Sequence, residues 1–531
     1  NQWRWLKGQT NINNIGVYGN VGVASASSLP GSREQTVINY INGSLYLFGG
    51  RGYNSIAGNV YESDLWSFDP ATYKWTWLKG PSGKEYNGEY GTQGVASATN
   101  KPGGRVAAAS IGTNDKFYLF GGNGLASTAY GGNLNDLWEL NPLSNNWTWL
   151  KGSKDGGYYG TYGTIGVPLS SNLPPGRQSL MLWNIGNKIY MFGGTNFDYF
   201  NDLWEYDLTT NNWTWLKGSN IVNQSGVYGI KGVSAATNTP GARWLSSTFT
   251  YNNKIYLFGG DGYNSGSTRG QLNDLWEYDP ATNNWTWLSG DDAINSLGIH
   301  GTIAVPSATN IPGARQSGQM QIINNKTYLF GGRGFAISGG ISNLNDMWEY
   351  DPATNIWTWL KGPNTGGNAG VAGAYGIENA ANNPSARYYE TSWTLNNKFY
   401  VFSGTPFGPE YNDVWEYNPA SNNWRYIHGT GNLGGQPGNY GLTGIGNHLN
   451  LPTRRWQSTA AAAGGNAFIF GGFGSYANNS TTANQYLGDL WKWTPGPNGV
   501  FTYGSNHKIY VNDNILTGDT YTTAIGNNLN T

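Results

Sequence analysis

The sequence predicts an all-β chain of seven similar units, each a sheet of four antiparallel strands, set in a ring. Three observations predict it. The triplet FGG or a near copy ends at Gly50, Gly122, Gly194, Gly260, Gly332, Gly404 and Gly472, the sixth copy reading FSG with Ser403. A DLW-like triplet follows each, opening on Asp64, Asp136, Asp202, Asp274, Asp346, Asp413 or Asp489. A W-x-W segment closes five of the seven units and WRY, ending on Tyr426, closes the sixth, while the chain itself opens with a further W-x-W, QWRWLK at residues 2–7.

Taken in order, the first strand of a unit follows an Arg and the second is the IYLF-like run. The third is DLWEYD and the fourth is WTWL. In the third strand of the fourth unit, Trp276 and Tyr278 share one face while Leu275 and Glu277 share the other, the period of two that a pleated strand demands. Trp285 and Trp287 of the fourth strand alternate in the same way. Asn-rich turns such as YNNK at residues 251–254 suit the hairpin between the first two strands. Four antiparallel strands per repeat, punctuated by Gly and aromatic landmarks, make a β-propeller blade. The seventh unit lacks its own fourth strand, and Trp3 and Trp5 supply one. The N-terminal strand is therefore expected to close the ring and leave no open sheet edge. The propeller is expected over residues 1–498, its last blade being 454–494 plus 1–7.

Composition narrows the function classes. Only 11% of residues are charged, against roughly 25% in an ordinary soluble domain. Aromatics reach 15%, with 25 Trp, enough to fill a large core. A net charge of −1 with no basic block argues against nucleic acid or an anionic membrane as partner. No run approaches the ~18 consecutive apolar residues of a membrane-spanning helix. With no Cys, disulfides and thiolate chemistry are excluded.

These landmarks resemble those of kelch-repeat propellers, the FGG after the second strand and the Trp residues of the third and fourth strands carrying the likeness over residues 1 to about 498. The resemblance implies a seven-bladed fold. It leaves the ligand open, because a fold hosts many functions. It extends in fold alone to copper-radical oxidases similar to galactose oxidase, whose cofactor needs a Tyr crosslinked to Cys. That chemistry is excluded here.

The units run 66 to 72 residues from Arg to Arg, longer than the roughly 50 of an ordinary kelch repeat. The surplus lies between the fourth strand and the next first strand. Strand alternation puts these loops on one face with the loops that follow FGG, and loops on a rigid scaffold carry recognition. That long-loop face is the candidate binding face. Its longest loops are copies of one motif, GVYGNVGVASASSLPGSR being the first, so they are expected to form a packed collar. His300 stands where other copies have Tyr18, Tyr90, Tyr162 or Tyr228.

Each unit carries one Arg before its first strand: Arg33, Arg105, Arg177, Arg243, Arg315, Arg387 and one of the doubled Arg454 and Arg455, with Arg454 taken. Matched one to one with the seven Asp residues, they suggest structural, bidentate Arg–Asp pairs rather than an anion-binding ring. Aromatics recur just after GG, at Tyr53, Phe197, Tyr263, Phe335, Phe407 and Phe473, with Tyr476 close behind. Trp244 and Trp456 break the repeat, each directly after an Arg, and Arg51 and Arg333 follow GG without sevenfold recurrence. These are the candidate ligand-binding residues, suited to stacking on sugars or to a protein hot spot. Glu378, Glu390 and Glu410 gather near the sixth unit, beside Tyr388 and Tyr389, and supply an alternative carbohydrate-active reading. The four His, at 300, 428, 448 and 507, show no convergent spacing for a metal, so no cofactor is expected.

From about Val500 the pattern stops, and residues 499–531 read as a linker or the start of a further domain. That segment resembles the entry to parallel β-helix domains of large secreted bacterial proteins, and Asp513 and Asp519 in it are candidate Ca²⁺ ligands. The functional expectation is a non-catalytic recognition or adhesion module of a secreted or cell-surface multidomain protein, binding an extracellular glycan or protein. An architectural spacer is the bland alternative.

Overall fold

The computed structural model describes residues 2–56, 58–83, 86–113, 115–128, 131–406, 410–429, 437–474 and 485–496, with the backbone alone of three short strands beyond. Those three, Phe501–Tyr503, Ile509–Val511 and Asn514–Ile515, pair antiparallel.

Among the described residues the chain is all-β and contains seven four-stranded antiparallel sheets, some extended by a short extra strand. In the first, Val37–Ile41, Ser44–Phe48, Leu65–Asp69 and Lys74–Lys79 pair in that order. The next five repeat that order along the chain. In the seventh, Thr459–Ala463, Asn466–Phe470 and Leu490–Thr494 are joined by Gln2–Lys7 from the other end of the chain. Trp3 lies opposite Trp493 and Trp5 opposite Trp491, with a bulge between Trp5 and Lys7. The covalently continuous first sheet carries the same bulge between Leu65 and Trp66. The N-terminal strand therefore takes the register of a true fourth strand.

Each sheet buries both faces, which explains why the second strands read as unbroken apolar runs rather than alternating ones. In Ser44–Phe48, Leu45 and Leu47 enter the seam with the seventh sheet while Tyr46 and Phe48 enter the seam with the second. Seven apolar clusters of this kind fill the seams between successive sheets, and one of them joins the seventh sheet to the first. A fully buried aromatic of this size is worth about 1.5–3 kcal/mol.

The long loops are straps. Residues 8–32 leave the N-terminal strand and run along the outer strand of the first sheet, Gly22 and Ser25 donating N–H to the carbonyls of Trp77 and Trp75. Equivalent straps cover the fourth strand of every other sheet. A strand edge would otherwise be left open to another chain, so a motif copied in every unit is what edge protection needs. Two side chains latch the strap. The Lys that ends the fourth strand of the preceding sheet reaches a strap carbonyl, as Lys79 does to Ala98 (2.6 Å) and Lys217 to Ala236 (2.8 Å). A buried Asn, such as Asn100 or Asn238, donates to both the strap and the fourth strand.

Candidate functional site

The end of each sheet on the long-loop side is built around one buried Arg. Arg33 donates through Nε to the Gly31 carbonyl and through Nη1 to the carbonyl of Gly49, the first Gly of the FGG. Its two terminal nitrogens grip Asp64 at 2.5 and 2.8 Å. One guanidinium thus ties the first, second and third strands together at a point where all three chains change direction. Arg105–Asp136, Arg177–Asp202, Arg243–Asp274, Arg315–Asp346 and Arg387–Asp413 repeat the geometry, at 2.5–2.9 Å. In the seventh sheet the sequence assignment of Arg454 is corrected: Arg455 holds Asp489, at 2.7 Å through both nitrogens. Arg455 pairs with Gly474 beside the FGG, the place of Arg33 in the first sheet, whereas Arg454 is one residue out of register and lies 3.8 Å from Glu410.

Each Asp also accepts from the indole N–H two residues on, Trp66 at 2.7 Å in the first sheet. A tyrosine of the strap completes the set: Tyr18, Tyr90, Tyr162, Tyr228 and Tyr440 donate to their Asp at 2.6–2.7 Å. Burial, and then the carboxylate beside them, push the phenols of Tyr18, Tyr90, Tyr228 and Tyr440 well above their usual range, so each remains a donor. Burial alone would raise the Asp64 carboxyl, but the Arg33 charge and four donated bonds hold it below its usual value. A buried ion pair is tolerable when its remaining lone pairs are satisfied in this way. Sequence reasoning missed the Tyr and Trp members, although the spacing of 46 from Tyr18 to Asp64 recurs from Tyr90 to Asp136 and from Tyr228 to Asp274.

The loops after FGG rise as hairpins on this face. Arg51–Gly52 pairs with both Arg33–Glu34 and Val60–Tyr61, and the second, fifth and seventh sheets repeat the arrangement. In the fourth sheet the hairpin is continuous with the blade, as Lys254–Tyr263 and Arg269–Asp279. The candidate residues fall into two aromatic groups on and between these hairpins. One is a chain of rings across the sixth, seventh and first sheets: Tyr388 to Tyr389 (4.6 Å), Tyr389 to Trp456 (5.5 Å), Trp456 to Phe473 (5.7 Å), Phe473 to Tyr486 (5.3 Å) and Tyr486 to Tyr53 (6.0 Å). Trp456, Phe473 and Tyr53 are half-buried. In the other group, Tyr199 sits 6.2 Å from Trp244 and 6.1 Å from Tyr263, with the Arg269 guanidinium 4.5 Å over its ring. Sequence reasoning passed over Tyr199 and Tyr486, each three residues before the Asp of its unit.

Of the remaining candidates, Phe197 is 86% exposed. Arg51 is exposed and donates to Asn59 at 2.8 Å. Arg333 and Phe335 are partly buried in the hairpin strand Arg333–Phe335. Phe407 and Tyr476, like Asp513 and Asp519, lie outside the described residues. The three carboxylates of the sixth unit do not form one group. Glu378 is on the outer strap, accepting from Asn418 and Ser421, while Glu390 is buried at the start of the first strand and Glu410 is buried beside Arg454. Two clefts, of about 530 and 650 Å³, lie beneath the straps between the third and fourth and the fifth and sixth sheets. Their linings are the same repeat positions, Lys217 and Asn238 in one matching Lys361 and Asn382 in the other, so both are products of the repeat.

Comparison with known proteins agrees with this architecture. Residues 92–221, 166–304 and 305–437 each match the KLHDC2/KLHL20/DRC7 Kelch-repeats domain. Tip elongation aberrant protein 1 of Schizosaccharomyces pombe is 29% identical over 238 residues, 44% of this chain and 16% of that protein. N-(sulfonatooxy)prop-2-enimidothioate sulfolyase of Thlaspi arvense is 24% identical over 318 residues, 56% of this chain and 71% of that protein. Host cell factor 2 of Homo sapiens is 25% identical over 300 residues, covering 54% of this chain and 29% of that protein. The chain therefore aligns with less than a third of two of these three relatives.

Proposed function

We propose, given that this chain belongs to the kelch-repeat family, that it is a non-catalytic recognition module whose long-loop face binds protein or glycan. The single observation that carries the reading is the chain of rings from Tyr388 through Trp456 and Phe473 to Tyr53, which crosses three sheets on the hairpin face. Half-buried aromatics on stiff hairpins give large contact area at little conformational cost. The seven Arg–Asp pairs are fully engaged in holding strands, and so belong to the scaffold of this reading rather than to its ligand site.

The module is read as one seven-bladed ring over residues 1–498, closed by the N-terminal strand. This is supported by the pairing of Trp3 and Trp5 with Trp493 and Trp491 and by the apolar seam between the seventh and first sheets. First strands also touch across seams, Asn39 donating to Ser110 and Gln321 to Ser392, each at 3.0 Å, as neighbours around an axis would. Residues 499–531 then begin a further domain of a secreted or cell-surface bacterial protein, and the module works without a cofactor.

The test is paired: a glycan array and a displayed peptide library, each probed with the protein and with a Tyr388→Ala, Trp456→Ala double variant. Binding in either format that the double variant loses supports the reading. Two blank screens, or binding that the variant keeps in full, would sink it.

A further inference from the structure

The third sheet breaks the pattern of tall hairpins. Gly194 and Asp202 are 8 positions apart, against 14 for the matching residues of the first, second, fourth and fifth sheets. The connection collapses to a tight turn in which Thr195 bridges Tyr199. Phe197 stands at its tip with φ of 90°, a conformation that a bulky residue rarely adopts, and the residue is 86% exposed. Strain of that kind persists where the surroundings over-determine it.

Five hydrogen bonds do so here. The Phe197 N–H donates to Thr195 Oγ1 at 3.1 Å, and Asn196 N–H donates to the Asp198 carbonyl at 3.0 Å. Asp198 N–H donates to Asn196 Oδ1 at 3.2 Å. Asn223, from the strap of the next sheet, accepts from Tyr199 N–H at 2.9 Å and donates to Asp198 Oδ1 at 2.7 Å. The backbone of the turn is therefore held in place, and presenting the ring costs little further backbone ordering.

What surrounds the ring decides the ligand class. Asn196 and Asp198 flank it directly. Next to the turn, the hairpin of the fourth sheet places Asp261 and Arg269 in a bidentate pair at 2.8 and 3.0 Å, with Arg269 47% exposed and lying over Tyr199. Because Arg269 is already matched by Asp261, the sector offers an anionic ligand no unmatched cation, and the charge left over is the Asp198 carboxylate, which accepts from the Asn223 amide. An apolar pocket on a protein partner would have to strip water from these amides and carboxylates to seat Phe197 without replacing the hydrogen bonds they lose. A sugar need not. The C–H face of a pyranose carries slight positive charge and meets the negative face of an aromatic ring, while its hydroxyls exchange water for amide and carboxylate partners at the rim.

We propose that the Thr195–Tyr199 turn is a carbohydrate-stacking site that takes an uncharged pyranose of an oligosaccharide on Phe197, with hydroxyl contacts to Asn196, Asp198 and the Asp261–Arg269 pair. It rests on the recognition reading above and gives that face a second, independent site with a defined ligand class.

The experiment uses the full chain on an array of neutral, sialylated and sulfated oligosaccharides, with titration of the best neutral hit. Phe197→Asn keeps a residue that tolerates positive φ and removes the ring, and Phe197→Trp keeps a ring. Leu143→Ala, at an exposed turn on the opposite face, is the control. Expected are binding to neutral glycans, at least a tenfold loss in Phe197→Asn, retention in Phe197→Trp and no change in Leu143→Ala. Unchanged melting temperatures will show that Phe197→Asn remains folded. Neutral-glycan binding indifferent to Phe197, signal from charged glycans alone, or a blank array each overturns the site. The broader reading fails separately, by a blank peptide library as well or by indifference to Tyr388 and Trp456.

Discussion

Nε2 of His300 stands 3.6 Å from Oδ2 of Asp346, where five sister sheets place a tyrosine hydroxyl at 2.6–2.7 Å from the same oxygen. Neither ring nitrogen of this buried histidine has a hydrogen-bond partner. Its ring still fills the slot, 4.9 Å from both Trp348 and Trp359, as Tyr18 lies 5.0 Å from Trp66 and Trp77. The site is thus shaped for tyrosine and lacks only its O–H. His300→Tyr is expected to stabilise the protein by about 1–2 kcal/mol, through one hydrogen bond to a charged group and the removal of two orphaned nitrogens. Urea unfolding checks it, and a lower midpoint in the variant would mean that the fifth sheet has repacked around histidine.

A second histidine replaces a latch. His428 ends the fourth strand of the sixth sheet, where five other units have Lys and the fourth has Ser289, and its Nε2 lies 2.9 Å from the His448 carbonyl on the strap. The Gly429 N–H donates to Nδ1 at 2.9 Å, so the proton must be on Nε2 and the ring must be neutral. Burial pushes its pKa down to about 4. Below about pH 6.5 the unfolded chain takes up a proton that the folded chain refuses until about pH 4. Stability contributed by this residue is therefore complete above pH 6.5 and is lost as pH falls, by up to about 3 kcal/mol. His428→Lys restores the latch of the sister sheets and stays charged throughout. Its unfolding free energy should change less between pH 7 and 4 than that of the parent, and equal slopes would refute the assignment.

Glu390 titrates in the opposite sense. It occupies a position held by Thr36, Ala108, Leu180, Ser246, Gly318 and Ser458 in the other sheets, is buried, and takes no hydrogen bond from another residue on either carboxyl oxygen. Burial pushes its pKa up to about 8, against the pull of Arg387. Between about pH 4.5 and 8 the folded chain holds a proton that the unfolded chain releases, so stability falls as pH rises through that window. Glu390→Gln cannot ionise and should remove a few kcal/mol of that decline. Unfolding free energies of the two proteins at pH 5 and pH 9 test this, and parallel declines would show that Glu390 is ionised in the fold.

Most of the scaffold was legible because each landmark does one mechanical job in every unit. FGG marks a turn that only small residues can make: a Cβ on Gly50 would fall 2.7 Å from the Glu34 carbonyl. The exception, Ser403, adopts φ of 64° and uses its hydroxyl to accept from the Arg455 N–H and donate to the Tyr411 carbonyl. The Arg and Asp were readable from equal numbers, but Arg454 and Arg455 were not separable, since only strand register tells two adjacent Arg apart. The straps were read as a collar because their repetition was visible and their path along the outer strand was not. The candidate site was less legible still. Rings three residues after GG share a spacing yet end in different places, Phe197 in solvent and Tyr53 against Tyr486. Hairpin height, which sequence gives only as loop length, decides between those ends.

The N-terminal strand offers the sharpest test of the ring. Trp3 is fully buried, 5.1 Å from Trp493 and 5.2 Å from Phe402 of the sixth sheet. It is also the surface on which a strap rests: Asn450 donates to the Trp3 carbonyl at 3.1 Å, and the Gly444 N–H donates to the Trp5 carbonyl at 2.7 Å. Removing residues 1–8 would strip the seventh sheet of its outer strand, release that strap and bare the edge of Leu490–Thr494 to solvent. The truncated protein should melt at a clearly lower temperature and associate with rising concentration, as an uncovered strand edge does. Trp3→Ala keeps the backbone pairing and empties the seam, so it should cost about 3–5 kcal/mol without promoting association. Adding the peptide NQWRWLKG to the truncated protein should recover part of the lost melting temperature. A truncation that melts like the parent would count against closure of the seven sheets by the first strand.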